Sequence, residues 1–283
     1  MLPHPPEIMT AFASFRFVPL LLCVLSGAVF AQDEQLKVEP QNIPNGVTFW
    51  TTNNNPWPMT GTVAGKLQNL NANKELPYDT VLPPQQRKNV VVAHIADPGQ
   101  PYRAEVSVRA RPGNAHARPD PKARYRFPFR SGESYKVSQA FHGEISHTGK
   151  FEFAVDFMMP EGTVVCAARE GVVAQVVNDF QEGRWDPALE TKANTIQIVH
   201  DDGTVSFYGH LQYHGATVVR GQRVNAGDPI GHSGRTGMIK VAHLHFHVEV
   251  PIGADTFRSI PFRFDGPKRR GIEPQKDETY TAP

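Results

Sequence analysis

Beyond the first thirty residues the chain shows almost no helical periodicity. Short runs recur instead, in which apolar and polar residues alternate or β-branched residues crowd together. They include Val47-Thr48-Phe49-Trp50, Asn89-Val90-Val91-Val92-Ala93, Ala104-Glu105-Val106-Ser107-Val108, Gly171 to Val177 and Thr195 to Val199, separated by clusters of Pro, Gly and Asn. That punctuation predicts antiparallel strands and an all-β fold. The longest clean alternation is His243-Leu244-His245-Phe246-His247-Val248-Glu249-Val250. Read as a strand, it sends Leu244, Phe246, Val248 and Val250 into a core and turns His243, His245 and His247 together to the opposite side.

Two other runs carry chemistry at the same kind of spacing. Ser206-Phe207-Tyr208-Gly209-His210-Leu211 follows the turn signal Asp201-Asp202-Gly203, so a hairpin is predicted to place Tyr208 and His210 on a single face. In Phe153-Ala154-Val155-Asp156-Phe157 the apolar positions go inward and Asp156 points the other way. A lone carboxylate among apolar residues is expensive to desolvate, and a metal or a hydrogen-bond network is the usual compensation. His147 is close enough in sequence for a loop to bring it beside Asp156. Imidazole is the commonest protein ligand for divalent transition metals, and ligands two apart on a strand are held in place before the metal arrives.

The segment Arg111 to Pro121 holds too much Pro for a strand and is read as a domain boundary. Upstream, residues 32–120 are predicted to form an immunoglobulin-like β-sandwich of accessory function, with Trp50 and Trp57 packed in its core. Residues 121–265 carry the candidate chemistry. Residues 266–283 read as a polar, disordered tail, with Lys268-Arg269-Arg270 solvated. Residues 1–31 have the pattern of a secretory signal peptide, in which the apolar run Phe17 to Leu25 leads through small residues to Ala31. The run is shorter than the ~20 residues of a membrane span. The expected product is therefore exported, without a stable span, to a periplasm, cell envelope or extracellular space. After cleavage Cys166 is the one cysteine left, which excludes a disulfide within the chain, and its apolar run favours an inert buried thiol. A formal net charge of +1 over 283 residues leaves no nucleic-acid footprint.

Together these elements resemble the lysostaphin-type (LytM-like) zinc metalloendopeptidases, which cut peptide bonds in peptidoglycan. The resemblance spans roughly Tyr125 to Phe264. It is carried by His147 with Phe153 to Phe157, by Pro160 to Val173, Tyr208-Gly209-His210-Leu211, Gly221-Gln222-Arg223-Val224, Gly231 to Gly237, and His243-Leu244-His245-Phe246. It implies a lysostaphin-type antiparallel β-sheet peptidase domain in which His147, Asp156 and His245 hold one Zn2+ per chain, with His210 and His243 free beside it as catalytic groups. Three protein ligands leave a tetrahedral zinc one open position, where water becomes acidic and a carbonyl is polarised. The implied substrate is the peptide part of peptidoglycan. All five positions hold the residue the pattern asks for, which argues against a degenerate relative.

Departures from the pattern are His247 where Glu is usual, Val241-Ala242 before His243, and a long gap between His147 and Asp156 that leaves His142 as a rival ligand. His247 and Tyr208 are candidate supporting groups around the site. His200, at a turn, reads as solvated. Competing readings are a catalytically silent wall-binding or regulatory module of the same fold, a zinc peptidase acting on proteins, and a cupin. The last lacks its second motif.

Overall fold

The structure is a computed structural model and describes residues 34–283, so the predicted signal peptide lies outside the described residues. Among the described residues every regular element is a strand except two 3-10 turns, Gly149–Phe151 and Pro187–Leu189. The fold is all-β. No helix there is long and apolar enough to cross a membrane.

The first part of the chain folds into two antiparallel four-stranded sheets. One orders Glu34–Leu36, Arg103–Pro112, Met59–Gln68 and Tyr78–Leu82; the other orders Val38–Ile43, Gly46–Asn53, Gln86–Ile95 and Leu70–Ala72. Alternation in these strands supplies Val47, Phe49, Met59, Val63, Val91 and Val108 to one shared apolar core, with Trp57 buried among them. Trp50 is only half-buried and carries the Arg87 guanidinium over its ring, 4.7 Å from the centroid. Two stacked sheets stand where the sequence predicts a sandwich; the immunoglobulin-like connectivity and the division at residue 120 are retained as proposals.

The second part is built on one large antiparallel sheet. Its path runs Arg223–Val224, Gly171–Val177, Asn194–Val199, Val205–Ala216, Leu244–Pro251, Ala154–Phe157, Ser134–Gln139, Thr279–Thr281. The histidine strand Leu244–Pro251 is therefore central, hydrogen-bonded to Val205–Ala216 on one side and Ala154–Phe157 on the other. Its apolar positions Leu244, Phe246, Val248 and Val250 enter a core with Val155, Phe157, Ile196, Ile198 and Phe264, as the alternation predicts. The two parts meet through apolar surface, since Ala174, Val199 and Val205 of the large sheet join the first core.

Two sequence expectations are corrected here. The polar tail is ordered: Thr279–Thr281 pairs with Ser134–Gln139, Ile272 and Ala282 are buried, and Tyr280 stacks on Phe127 at 5.1 Å. A few well-spaced apolar residues anchor a segment whose average composition is polar. His200 is buried, not solvated, because Nδ1 donates to the Glu170 carbonyl at 2.7 Å and Nε2 accepts from the Ser206 hydroxyl at 2.6 Å.

Candidate metal centre

Sheet register assembles the site. His245 stands directly opposite Asp156 on one neighbouring strand and Gly209 on the other. A Cβ at Gly209 would lie 2.9 Å from the Phe207 ring and 3.5 Å from His245 Cβ, so glycine keeps the space beside His245 clear. Alternation would send the next residue, His210, into the core. Instead His210 adopts φ 61°, a left-handed conformation that breaks the alternation and returns its ring to the site. His210 then lies 4.8 Å from His243 and 6.1 Å from His245, centroid to centroid.

The same break separates Tyr208 from the site, correcting the single-face prediction. Tyr208 is fully buried in the core, and its hydroxyl accepts from the Ala168 N–H at 2.7 Å. It supports the sheet beneath the centre. His142 also stays apart: it is exposed, pairs with Glu152 at 3.2 Å and packs on Phe153.

His147, Asp156 and His245 do converge, each offering one donor atom within 4.8 Å of the others. His147 Nδ1 donates to the Ala140 carbonyl at 2.8 Å, leaving Nε2 bare. That nitrogen is buried, 3.2 Å from Asp156 Oδ1, and has no aligned hydrogen-bond partner. His245 Nδ1 is 3.0 Å from the same oxygen. Tetrahedral zinc with ligands at 2.0–2.1 Å would hold neighbouring donors roughly 3.3 Å apart, so the donor set fits that cation. An orphaned buried imidazole nitrogen is costly unless something occupies the space in front of it.

The electrostatics favour the same occupant. Burial alone would raise the Asp156 carboxyl, but His243, His147 and His245 around it prevail and hold it well below the usual carboxylate range. Burial also opposes charge on His147, where Asp156 prevails and raises the imidazole. His245 is pulled down to about 3, chiefly by burial, and His210 to about 4 by burial and the nearby His243. His245 and His210 are thus neutral beside an ionised carboxylate, as a divalent cation requires, and a cation at His147 Nε2 would displace the proton that Asp156 favours there.

Two residues flank the centre with free nitrogens. His210 Nδ1 donates to the Thr236 carbonyl and His243 Nδ1 to the Val241 carbonyl, both at 2.8 Å, so each leaves Nε2 unprotonated when the ring is neutral. His243 Nε2 is 3.6 Å from Asp156 Oδ1.

Gln139, Glu249 and Arg111 complete the surroundings and were not singled out in the sequence. Gln139 donates to Asp156 Oδ2 at 3.0 Å, while its oxygen accepts from the N–H groups of Ile145 and Ser146, fixing the loop that delivers His147. No pattern in the sequence marks it. Glu249 continues the alternation of the histidine strand and was legible in principle. His247 is fully buried behind His245, so it faces protein and not solvent.

A model of peptidase family M23 matches residues 150–255. These residues are a peptidase family M23 domain. The match takes in Asp156, His210, His243 and His245 and begins just after His147, which the loop described above delivers. The family resemblance read from the sequence holds. Among curated relatives, the M23 domain region is similar to peptidoglycan DD-endopeptidase ShyA of Vibrio cholerae, at 33% identity over 40% of this chain and 24% of that protein. Cell division protein DipM of Caulobacter vibrioides is 25% identical over 54% of this chain and 22% of its own length. The chain thus spans less than a third of the length of the curated relatives it matches. Of solved structures, the catalytic domain of the antimicrobial peptidase lysostaphin from Staphylococcus simulans aligns at 27% identity, covering 45% of this chain and 87% of that one, with a TM-score of 0.31.

Proposed function

We propose that this chain is an exported zinc endopeptidase that hydrolyses peptide bonds in peptidoglycan. The observation that carries the reading is the buried Nε2 of His147, which lacks a hydrogen-bond partner and faces Asp156 Oδ1 and His245 Nδ1, next to two imidazoles whose Nδ1 atoms are committed to backbone carbonyls. Membership of a peptidase family supplies the reaction class, and the relative named a peptidoglycan DD-endopeptidase supplies the substrate class. The signal-like leader supports export.

His147 Nε2, Asp156 Oδ1 and His245 Nδ1 would hold the zinc. Bound there, the metal supplies a Lewis acid that polarises the scissile carbonyl and acidifies a water molecule. Of the chain's own groups, Asp156 lowers the positive charge of the centre, and Gln139 keeps the unused carboxylate oxygen occupied. His210 and His243 carry the proton: an Nε2 takes it from water as oxygen attacks the carbonyl carbon, and it passes to the amine nitrogen as the C–N bond breaks.

The test is to incubate the purified chain, with and without chelator, with purified peptidoglycan and with casein. The expected result is release of soluble wall peptides, identified by mass, that chelation stops and zinc restores. Zinc bound without cleavage of any wall preparation would favour a silent wall-binding or regulatory module, and cleavage of casein alone would favour a peptidase acting on proteins.

A further inference from the structure

We propose that Arg111, from the first two-sheet part of the chain, is a positioning residue for the metal centre: through Glu249 and His247 it sets the orientation and tautomer of His245. The inference rests on the zinc reading above.

The chain of contacts is continuous. Arg111 donates to Glu249 Oε1 at 2.6 Å, Glu249 Oε2 lies 2.8 Å from His247 Nε2, and His247 Nδ1 lies 3.0 Å from His245 Nε2. Arg111 lies at the end of the strand Arg103–Pro112, and 138 residues of sequence separate it from Glu249.

Arginine fixes the polarity of this chain, because it only donates and does not lose its proton. Facing it, the Glu249 carboxyl is held below its ordinary range: burial works the other way, but Arg111 and His247 outweigh it. An ionised carboxylate only accepts, so the hydrogen between Glu249 and His247 must sit on His247 Nε2. A neutral His247 that donates from Nε2 presents its Nδ1 as an acceptor, 3.0 Å from His245 Nε2. The hydrogen between the two imidazoles must therefore sit on His245 Nε2. That leaves a bare lone pair on His245 Nδ1, the nitrogen 3.0 Å from Asp156 Oδ1. Two acceptors so close oppose each other unless a cation lies between them.

The surroundings leave the chain no alternative partner. His247 is sandwiched between Phe207, at 4.7 Å and 18°, and Phe257, at 5.3 Å and 6°. The Arg111 guanidinium lies over the Phe257 ring, 4.6 Å from its centroid. The side chains of His247 and Glu249 are 0% exposed and that of Arg111 is 2% exposed, so water cannot substitute for a lost link. Partners of metal-bound histidine commonly change metal affinity 10- to 100-fold when removed.

The experiment measures zinc affinity by chelator competition, and the visible spectrum of the cobalt-substituted full chain, in wild type, Arg111→Met, Arg111→Met/Glu249→Gln and Arg109→Met. The double variant leaves no buried unpaired charge, so it stays informative if Arg111→Met alone does not fold. Arg109 pairs with Asp255 across the same two parts of the chain at an exposed position and serves as control. The expected result is a zinc affinity roughly 10-fold or more weaker in the double variant, an altered cobalt spectrum, and a control within twofold of wild type. Unchanged affinity and spectrum in the folded double variant overturn the proposal while leaving the zinc site intact. An equal loss in the Arg109→Met control overturns it too, because general docking of the two parts would then be the cause. Failure of wild type to bind zinc removes the underlying site reading.

Discussion

The histidine strand has two halves with the same alternation and different surroundings. At its start, His243 Nε2 and His245 Nδ1 both face the Asp156 carboxylate, 3.6 and 3.0 Å from the same oxygen, and neither side chain is fully buried. Two residues on, His247 and Glu249 point the same way and are sealed beneath Phe207, Phe257 and Arg111. A periodic sequence determines which side chains share a face. What covers that face is determined by segments far away in the chain, here Gly209 at one end and the strand bearing Arg111 at the other. One half of the row can hold a ligand, and the other can only hold its neighbours.

The sharpest way to break this contrast is to remove a donor from the open half. His245→Ala or Asp156→Ala should take zinc content from about one per chain to near zero by metal analysis, and wall-peptide release should fall to the background of the assay. Asp156→Ala also leaves Gln139 without its carboxylate partner, so the loop bearing His147 loosens. His243→Ala sits in the same half but offers no ligand in the proposed set. It should retain zinc while lowering kcat roughly 10²- to 10⁴-fold. If His243→Ala loses the metal as completely as His245→Ala, the division of labour between ligands and proton carriers is wrong.

Much of the open half was legible in the sequence. Alternation around His245 and Asp156 placed both on one face, and register in the sheet then set them opposite each other. The fold class followed from the absence of helical periodicity. What failed were predictions that needed a backbone conformation or a distant partner. Tyr208 and His210 share a parity in the sequence, and only the positive φ at His210 separates them. His247 reads from the sequence only as a supporting group, because nothing local shows that Phe257 and Arg111 close over it. Gln139 had no signal at all, since a glutamine in a half-exposed strand resembles any other.

The sealed half gives a smaller effect and sharpens the contrast. His247→Phe should fit between Phe207 and Phe257 with its ring plane preserved, yet it removes the acceptor for His245 Nε2–H. The folded variant should bind zinc roughly 10- to 100-fold more weakly, with peptide release recovered at high zinc concentration. Full affinity in His247→Phe would mean that His245 is oriented by Asp156 alone. The Glu249 and Arg111 pair would then serve only to join the two parts of the chain.

The smallest effect on the centre is expected from a third kind of histidine, His200, which is as buried as His247 but linked to nothing at the site. Burial, together with the Arg169 charge nearby, pulls His200 down to about 4, with Glu170, Asp201 and Asp202 opposing in part. The Tyr125 ring packs against it edge-on at 5.8 Å. In the unfolded chain His200 would titrate near its ordinary value of about 6.5, so between these limits the unfolded state binds the extra proton. Its contribution is fully present above roughly pH 6.5 and is lost as pH falls toward 4, on the order of 3 kcal/mol over that window. His210 and His245 are shifted in the same direction, so the signal is the difference between wild type and His200→Gln at equal zinc loading. Chemical denaturation at a series of pH values should show a shallower acid decline in His200→Gln, with zinc affinity at pH 7.5 within twofold of wild type. Parallel decline in the two proteins would mean that His200 opens to solvent before the fold does. A drop in zinc affinity would show instead that burial alone, without the direct contacts His247 makes, is enough to connect a histidine to the centre.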